Sequence, residues 1–410
     1  MGKATFVIVG AAMAGAKAAE ELREQGFDGR VVLVGSEAEQ PYERPPLTKD
    51  YLRGESPCEK AHVHPDGFYA EHGIELLTSH TVSAIDVGTS TLTLADGGEL
   101  SYDRLLLSTG AEPRRLNLPG AELEGVYYLR SLADCDVLRE RIHGSGRVAV
   151  IGAGWIGSEF SASARQLGVD VTWIDPQRLP NERIFGPRIG AFYRDVHAAH
   201  GVELRLGEGV EAFEGERAVT RVRTSSGRAV ECDFAVVAVG VAPRTELAER
   251  AGLTIDNGIA VSEALQTSAP EVFAAGDVAN AWHPFLGRSI RVEHWANALN
   301  QAPAAARAML GEAVSYERIP YFFSDQYDVG MEYSGYATSW DEVVFRGSPE
   351  AGEFVAFWLG DGRVLAGMNV NVWDVNQHVQ ALIRSRQAVD VDALIDVDTP
   401  LESLVAAPAR

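Results

Sequence analysis

Arg147 to Asp175 reads RVAVIGAGWIGSEFSASARQLGVDVTWID, and the reading of the whole chain turns on it. Arg147–Ile151 has the apolar character of a buried strand. Gly152, Gly154 and Gly157 follow as G-x-G-x-x-G and open a helix in which Phe160, Ala164 and Leu167 fall on one face. The first glycine permits a tight turn, the second lets backbone approach a pyrophosphate, and the third lets helix pack close to strand. Unpaired N–H groups and the positive dipole end at the helix start attract phosphate, with Trp155 and Ile156 at that start. The next strand, Asp170–Ile174, ends at Asp175, where a carboxylate can accept from ribose hydroxyls.

Such a unit usually begins a chain, and here it begins near residue 147. The front contains a second copy. Thr5–Val9 is an apolar strand, and Gly10 and Gly15 match Gly152 and Gly157 at one offset (152 − 10 = 142, 157 − 15 = 142), as do Gly26 and Gly168. Ala12 stands where the middle glycine would be, and its methyl group is expected to push a pyrophosphate slightly outward. Leu105–Gly110 (LLLSTG) and Ala235–Gly240 (AVVAVG) are expected to close the two copies as strands. Two βαβ units this far apart predict an α/β chain with two Rossmann-like dinucleotide-binding domains.

Composition sets limits on partners. The 410 residues suit two or three domains, and 46% hydrophobic content is ample for packed cores. A net charge of −22 is repelled by phosphate, so no nucleic acid and no membrane surface is expected as a general partner. No run of about 18 apolar residues is present to span a bilayer. Lys3 followed by TFVIVGAAMAGA superficially resembles a signal peptide, but it continues into an amphipathic helix and the strand Arg30–Val34, so a cytoplasmic protein is expected. Cys58, Cys135 and Cys232 make no C-x-x-C pair, which excludes a redox dithiol. Cys58 with His62 and His64 lacks a fourth ligand at a standard spacing, and no metal is expected.

Several runs together resemble one family. PYERPPLTKDYL (Pro41–Leu52), STGAEPR around Thr109, YLR ending at Arg130, AAGDVA containing Gly276 and Asp277, VEHWANALNQA (Val292–Ala302) and SDQYDVG (Ser324–Gly330) resemble, in collinear order, the FAD-dependent ferredoxin reductases of the putidaredoxin reductase and rubredoxin reductase group. The resemblance implies a glutathione-reductase-like architecture without the redox disulfide. A split FAD-binding domain would cover residues 1–112 and 244–315, an inserted NAD-binding domain 113–243, and a C-terminal α+β domain 316–410. The last segment alternates in EVVFRG, EFVAFWL and VLAGMNV like an antiparallel sheet and turns helical near Val375–Arg386. A peroxidase-like relative would need a cysteine where this chain has Glu43 and Arg44.

The resemblance also implies roles. FAD would be held by Gly10, Ala12, Gly15, Glu37, Arg44, Pro45, Lys49, Thr109, Gly110, Arg130, Gly276, Asp277, Glu293, His294 and Trp295. Asp277 would bond the ribityl chain and Glu37 the adenosine ribose. NADH would be held by Gly152, Gly154, Trp155, Ile156, Gly157, Asp175 and Gly240, although Arg178 close to Asp175 could instead meet a 2′-phosphate. Lys49, Glu159 and Trp295 would lie at the reacting end, with Lys49 and Glu159 either a buried pair or an ordinary surface contact. The implied activity passes electrons from NADH through FAD to a [2Fe-2S] ferredoxin serving a cytochrome P450 or Rieske oxygenase, in a monomer or homodimer. Alternatives are a rubredoxin or other flavoprotein reductase, and an NADH-sensing flavoprotein with incidental turnover. An acidic ferredoxin would need a local positive surface, for which Arg288, Arg291, Arg307 and Arg318 are candidates.

Overall fold

The computed structural model describes residues 3–405, which divide into two compact units. The first comprises Met1–Pro45, Pro57–Glu112 and Val241–Arg318, and the second Pro46–Ser56, Pro113–Gly240 and Ile319–Arg410.

In the first unit Thr5–Val9 lies at the centre of a five-stranded sheet in the order Val272–Ala274, Arg104–Leu107, Thr5–Val9, Arg30–Val34, Ile74–Leu77. All pairings are parallel. These strands are continuous runs of Val, Ile, Leu and Ala because a parallel sheet is covered on both faces and has no solvent side to alternate with. Helix Met13–Glu24 packs against helix Trp295–Met309. Both bury alanines, among them Ala16, Ala18 and Ala19 on one and Ala302, Ala305 and Ala306 on the other, so the backbones approach closely. A small antiparallel sheet, Val82–Asp86, Thr91–Leu94 and Glu99–Ser101, completes this copy.

The second unit repeats the plan around Arg147–Ile151: Glu203–Leu206, Asp170–Asp175, Arg147–Ile151, Phe234–Val237, Val126–Tyr127, again parallel. Its small antiparallel sheet is Val210–Glu214, Arg221–Thr224 and Ala229–Glu231. The closing strands end at Leu107 and Val237, earlier than the LLLSTG and AVVAVG runs suggest, although Ser108 and Ala238 still donate their N–H groups to Val9 and Ile151 of the central strands.

The same unit carries a five-stranded antiparallel sheet in the order Tyr321–Gln326, Val329–Gly335, Arg363–Val370, Glu353–Gly360, Glu342–Ser348, followed by helix Asn376–Ser385. Strand Glu353–Gly360 departs from the expected alternation, with Phe354 to Leu359 all buried. Phe354, Ala356 and Trp358 face an aromatic cluster with Phe185 and Tyr193. The opposite face is covered by the helix, close enough that a Cβ on Gly367 would lie 2.5 Å from Val379.

Candidate functional site

The two fingerprint turns have the same geometry. Gly10 (φ +114°) and Gly152 (φ +109°) occupy backbone conformations that a Cβ resists, and that Cβ would fall 2.2 Å from the Ser108 carbonyl oxygen and 2.3 Å from that of Ala238. Gly15 and Gly157 would clash with the carbonyl oxygens of Gly10 and Gly152. Gly154 is different: a Cβ there meets no atom within 4 Å, so the turn leaves open space on the side where a phosphate would approach. Ala12 occupies the matching position with a similarly extended backbone.

The helices that follow, Met13–Glu24 and Trp155–Gln166, have no side-chain cap and no acidic residue in the first turn. Helix Leu132–Gly144, in contrast, is closed by a complete Ser131–Asp134 capping box. An uncapped start leaves backbone N–H donors for an external acceptor. Both turns therefore fit a dinucleotide pyrophosphate.

The acids beside the two turns are held differently. Asp175 is buried and its carboxylate accepts from the Ala153 N–H (2.6 Å) and the Gln177 N–H (2.7 Å), tying the strand end to the glycine turn. In the front copy the strands superpose at an offset of 140 (Val34 with Ile174, 174 − 34), which puts Gly35 opposite Asp175. A Cβ on Gly35 would lie 2.5 Å from that of Ala11, so no carboxylate fits at that position. The first acid after it is Glu37, two residues on. Arg44 donates to it (3.0 Å), as does the Tyr42 hydroxyl, and these partners hold its carboxyl below the usual range against the opposing effect of burial.

The remaining front-copy residues are anchored individually. Thr109 donates its hydroxyl to the Arg244 carbonyl (2.9 Å), and the Arg244 N–H returns a bond to Gly110. The Gly276 N–H donates to buried Gln301 (2.8 Å). Asp277 accepts at its carbonyl from Arg291, which also pairs with Glu293. Burial pushes the His294 imidazole down to about 4, so it is neutral. Trp295 starts its helix and donates its indole N–H to Glu43 (3.0 Å), whose carboxyl burial raises. Pro45 opens the short 3-10 turn Pro45–Thr48.

In the second unit the Arg130 backbone N–H donates to the Asp134 carboxylate (3.1 Å), and the Gly240 carbonyl accepts from the Arg114 N–H. Trp155 packs against Phe185, Tyr193 and Phe322, and Ile156 follows it, half-buried. Lys49 and Glu159 meet at 2.6 Å with side chains 14% and 9% exposed. This pair is not isolated. Thr48 donates to the same Glu159 oxygen (2.5 Å) and Ser324 to the other (2.7 Å), and Lys49 lies over the Phe323 ring. Sequence reasoning passed over Thr48 and Ser324. The available signal was a serine at an inward position of an alternating strand.

All three cysteines are thiols, and burial pushes Cys135 and Cys232 to about 12, far from reactive thiolates. Glu39, Cys58 and His62 converge, a grouping that spacing did not reveal. The Gln40 amide nitrogen lies 2.6 Å from His62 Nδ1 and 2.7 Å from Asp66, however, so it donates to Nδ1 and leaves Nε2 protonated toward Cys58. A histidine so arranged offers no lone pair to a cation. Arg291 is corrected as a docking residue: its side chain is 9% exposed and engaged with Glu293 and Asp277. Arg307 is likewise committed, to Glu21 (2.7 Å). Neither offers a free positive charge.

Two phosphate cradles on one chain, with every cysteine kept as a thiol, define a two-dinucleotide oxidoreductase fold that lacks a redox disulfide. Residues 4–302 match the family described as pyridine nucleotide-disulphide oxidoreductase, and residues 321–405 that described as reductase C-terminal. The chain belongs to the pyridine nucleotide-disulphide oxidoreductase family. It is 39% identical to the 5,5′-dehydrodivanillate O-demethylase ferredoxin reductase subunit of Sphingobium sp., over 98% of each chain. It is 36% identical to putidaredoxin reductase of Pseudomonas putida, covering 98% of this chain and 96% of that one. The solved ferredoxin reductase for the CYP199A2 system of Rhodopseudomonas palustris superposes with a TM-score of 0.95 at 35% identity, covering 98% of this chain and all of that one. The resemblance drawn from the sequence motifs is thereby borne out.

Proposed function

We propose that the chain is an NADH-dependent, FAD-containing ferredoxin reductase that supplies a [2Fe-2S] ferredoxin serving a cytochrome P450 or Rieske oxygenase. The observation that carries this reading is the pair of uncapped glycine turns in a chain with no dithiol, which provides two dinucleotide sites and no thiol path for electrons. The relatives' names support the acceptor class.

Bound FAD supplies the chemistry of accepting a hydride pair and releasing electrons singly. The protein's residues bind, orient and balance charge. Residues 1–112 and 244–315 form the FAD domain, with Gly10, Ala12 and Gly15 at the pyrophosphate, Glu37 and Arg44 at the adenosine end, and Asp277 at the ribityl chain. Residues 113–243 form the NADH domain and residues 316–410 the C-terminal domain. Asp175 has one acceptor position left on each oxygen after its two backbone bonds, and these receive the ribose hydroxyls. Its charge repels a 2′-phosphate, which sets the preference for NADH. Lys49 neutralises Glu159, so the carboxylate can remain in a water-poor site without an unpaired charge. The described residues contain no helix long and apolar enough to cross a membrane.

The test is anaerobic. Purified yellow protein is mixed with NADH, and turnover is compared between a [2Fe-2S] ferredoxin and a small dye. Ferredoxin reduction at rates comparable to the dye supports the reading. Flavin reduction without transfer to any ferredoxin points to the NADH-sensing alternative.

A further inference from the structure

Behind Glu159 runs a line of buried polar side chains that the proposed chemistry does not use. Ser324 and Gln326 sit two residues apart on strand Tyr321–Gln326, both 1% exposed, and His197, fully buried, lies beside them in the last turn of helix Pro187–Ala199. His197 Nε2 is 2.9 Å from Gln326 Oε1, Gln326 Nε2 is 3.1 Å from Ser324 Oγ, and Ser324 Oγ is 2.7 Å from Glu159 Oε1. Beyond His197, the Tyr327 hydroxyl is 3.4 Å from Nδ1.

The hydrogens in this line can be assigned from one end. A carboxylate only accepts, so the single hydrogen of Ser324 goes to Glu159. Ser324 must then accept, and the amide nitrogen of Gln326 is the group that faces it. That turns the Gln326 oxygen toward His197, so Nε2 carries the imidazole hydrogen and Nδ1 is left to accept from Tyr327. Every bond points the same way, toward Glu159.

We infer that His197, Gln326 and Ser324 are positioning residues that hold the Glu159 carboxylate in the orientation in which it meets Lys49. This inference rests on the reading of Lys49 and Glu159 as part of the hydride-transfer site. His197 accepts from Tyr327 at Nδ1 only while it is neutral, and burial pushes that imidazole down to about 4 against the smaller opposing effect of the Gln326 bond. The groups facing His197 are Gln326, the stacked pair His200 and Tyr327, and the Trp173 ring. Those facing Glu159 are Lys49, Thr48 and Ser324, with Asp325 and Tyr193 as further electrostatic neighbours.

Two measurements test the inference separately from the function. In holoenzyme labelled with 15N-histidine and assigned with a His197→Asn variant, His197 is expected as a single neutral Nε2–H tautomer between about pH 5 and 8. Gln326→Leu is expected to give a mixture of tautomers. In stopped-flow reduction by NADH, Gln326→Leu and Ser324→Ala are expected to slow the step about tenfold while NADH affinity changes less than about threefold, and Ser324→Thr, which keeps the hydroxyl, is expected to restore most of the rate. An Nδ1–H tautomer in the native enzyme overturns the inference, as does an unchanged reduction rate in both disrupted variants. Absence of NADH reduction in the native enzyme would instead refute the proposed function while the tautomer result stood.

Discussion

The two fingerprint copies solve the same backbone problem identically and the same ligand problem differently. Gly10 and Gly152, and Gly15 and Gly157, are required by carbonyl oxygens about 2 Å from where a Cβ would stand. The acid beside the turn is not so constrained. In the second copy Asp175 ends the strand and is tied to the turn by the Ala153 N–H. In the first that position is Gly35, crowded by Ala11, and the next acid along the chain is Glu37, in a loop and held by Tyr42 and Arg44. Where sterics decide, the copies agree, and where an outside partner decides, they diverge.

The strongest way to break the comparison is to put a Cβ on each first glycine. Gly10→Ala is expected to yield colourless protein, with FAD affinity lowered on the order of 100-fold or more. Gly152→Ala is expected to keep its yellow colour and lose reduction by NADH to a similar degree. Flavin absorbance and stopped-flow reduction separate the two, and equal flavin loss in both would mean the sites are assigned wrongly.

In each unit burial pushes an imidazole down to about 4, that of His294 in the first and that of His197 in the second. The unfolded chain protonates these groups near 6.5, so it binds more protons than the native state between those values. Stability is therefore complete above about pH 6.5 and falls as the pH drops toward 4, by up to about 3 kcal/mol per histidine. Denaturation midpoints across that range check the sign, and a protein that became more stable on acidification would contradict it.

Lys49→Met leaves the Glu159 carboxylate buried without its counter-charge. FAD is expected to stay bound while reduction by NADH slows roughly 10- to 100-fold. An unchanged rate would reduce the pair to a structural contact.

Asp175→Asn sharpens the difference between the acids. Removing the charge is expected to cut the preference for NADH over NADPH by about tenfold, without loss of flavin. Glu37→Gln, the matching change, is expected to weaken FAD retention and leave nicotinamide preference unaltered.

The smallest expected effect comes from Ala12→Gly, which gives the front copy the middle glycine of the other. FAD affinity is expected to rise by no more than a fewfold, since the backbone at Ala12 already has the extended form seen at Gly154. A loss of affinity would show that the methyl group makes a contact of its own.

Much of this was readable in the amino-acid order. The duplicated unit with its strands and glycines follows from local rules: a buried parallel strand is apolar throughout, and a turn at φ near +110° with a carbonyl oxygen against the Cβ position requires glycine. Collinear motifs carried the family as well. Arg291 went the other way, since charge alone cannot tell a solvated arginine from one folded onto Glu293 and the Asp277 carbonyl.

The sequence by itself determined that two dinucleotide cradles exist and where each turns, because those requirements act between residues a few positions apart. Only the tertiary structure decided which charges are available and which are committed. Thr48, Lys49, Glu159, Ser324, Gln326 and His197 come from segments separated by up to 278 residues (326 − 48), and their hydrogen bonds form one line only when two helices, a turn and a strand pack together. Burial then fixes the direction of that line, since a carboxylate and a serine enclosed away from water must satisfy each other.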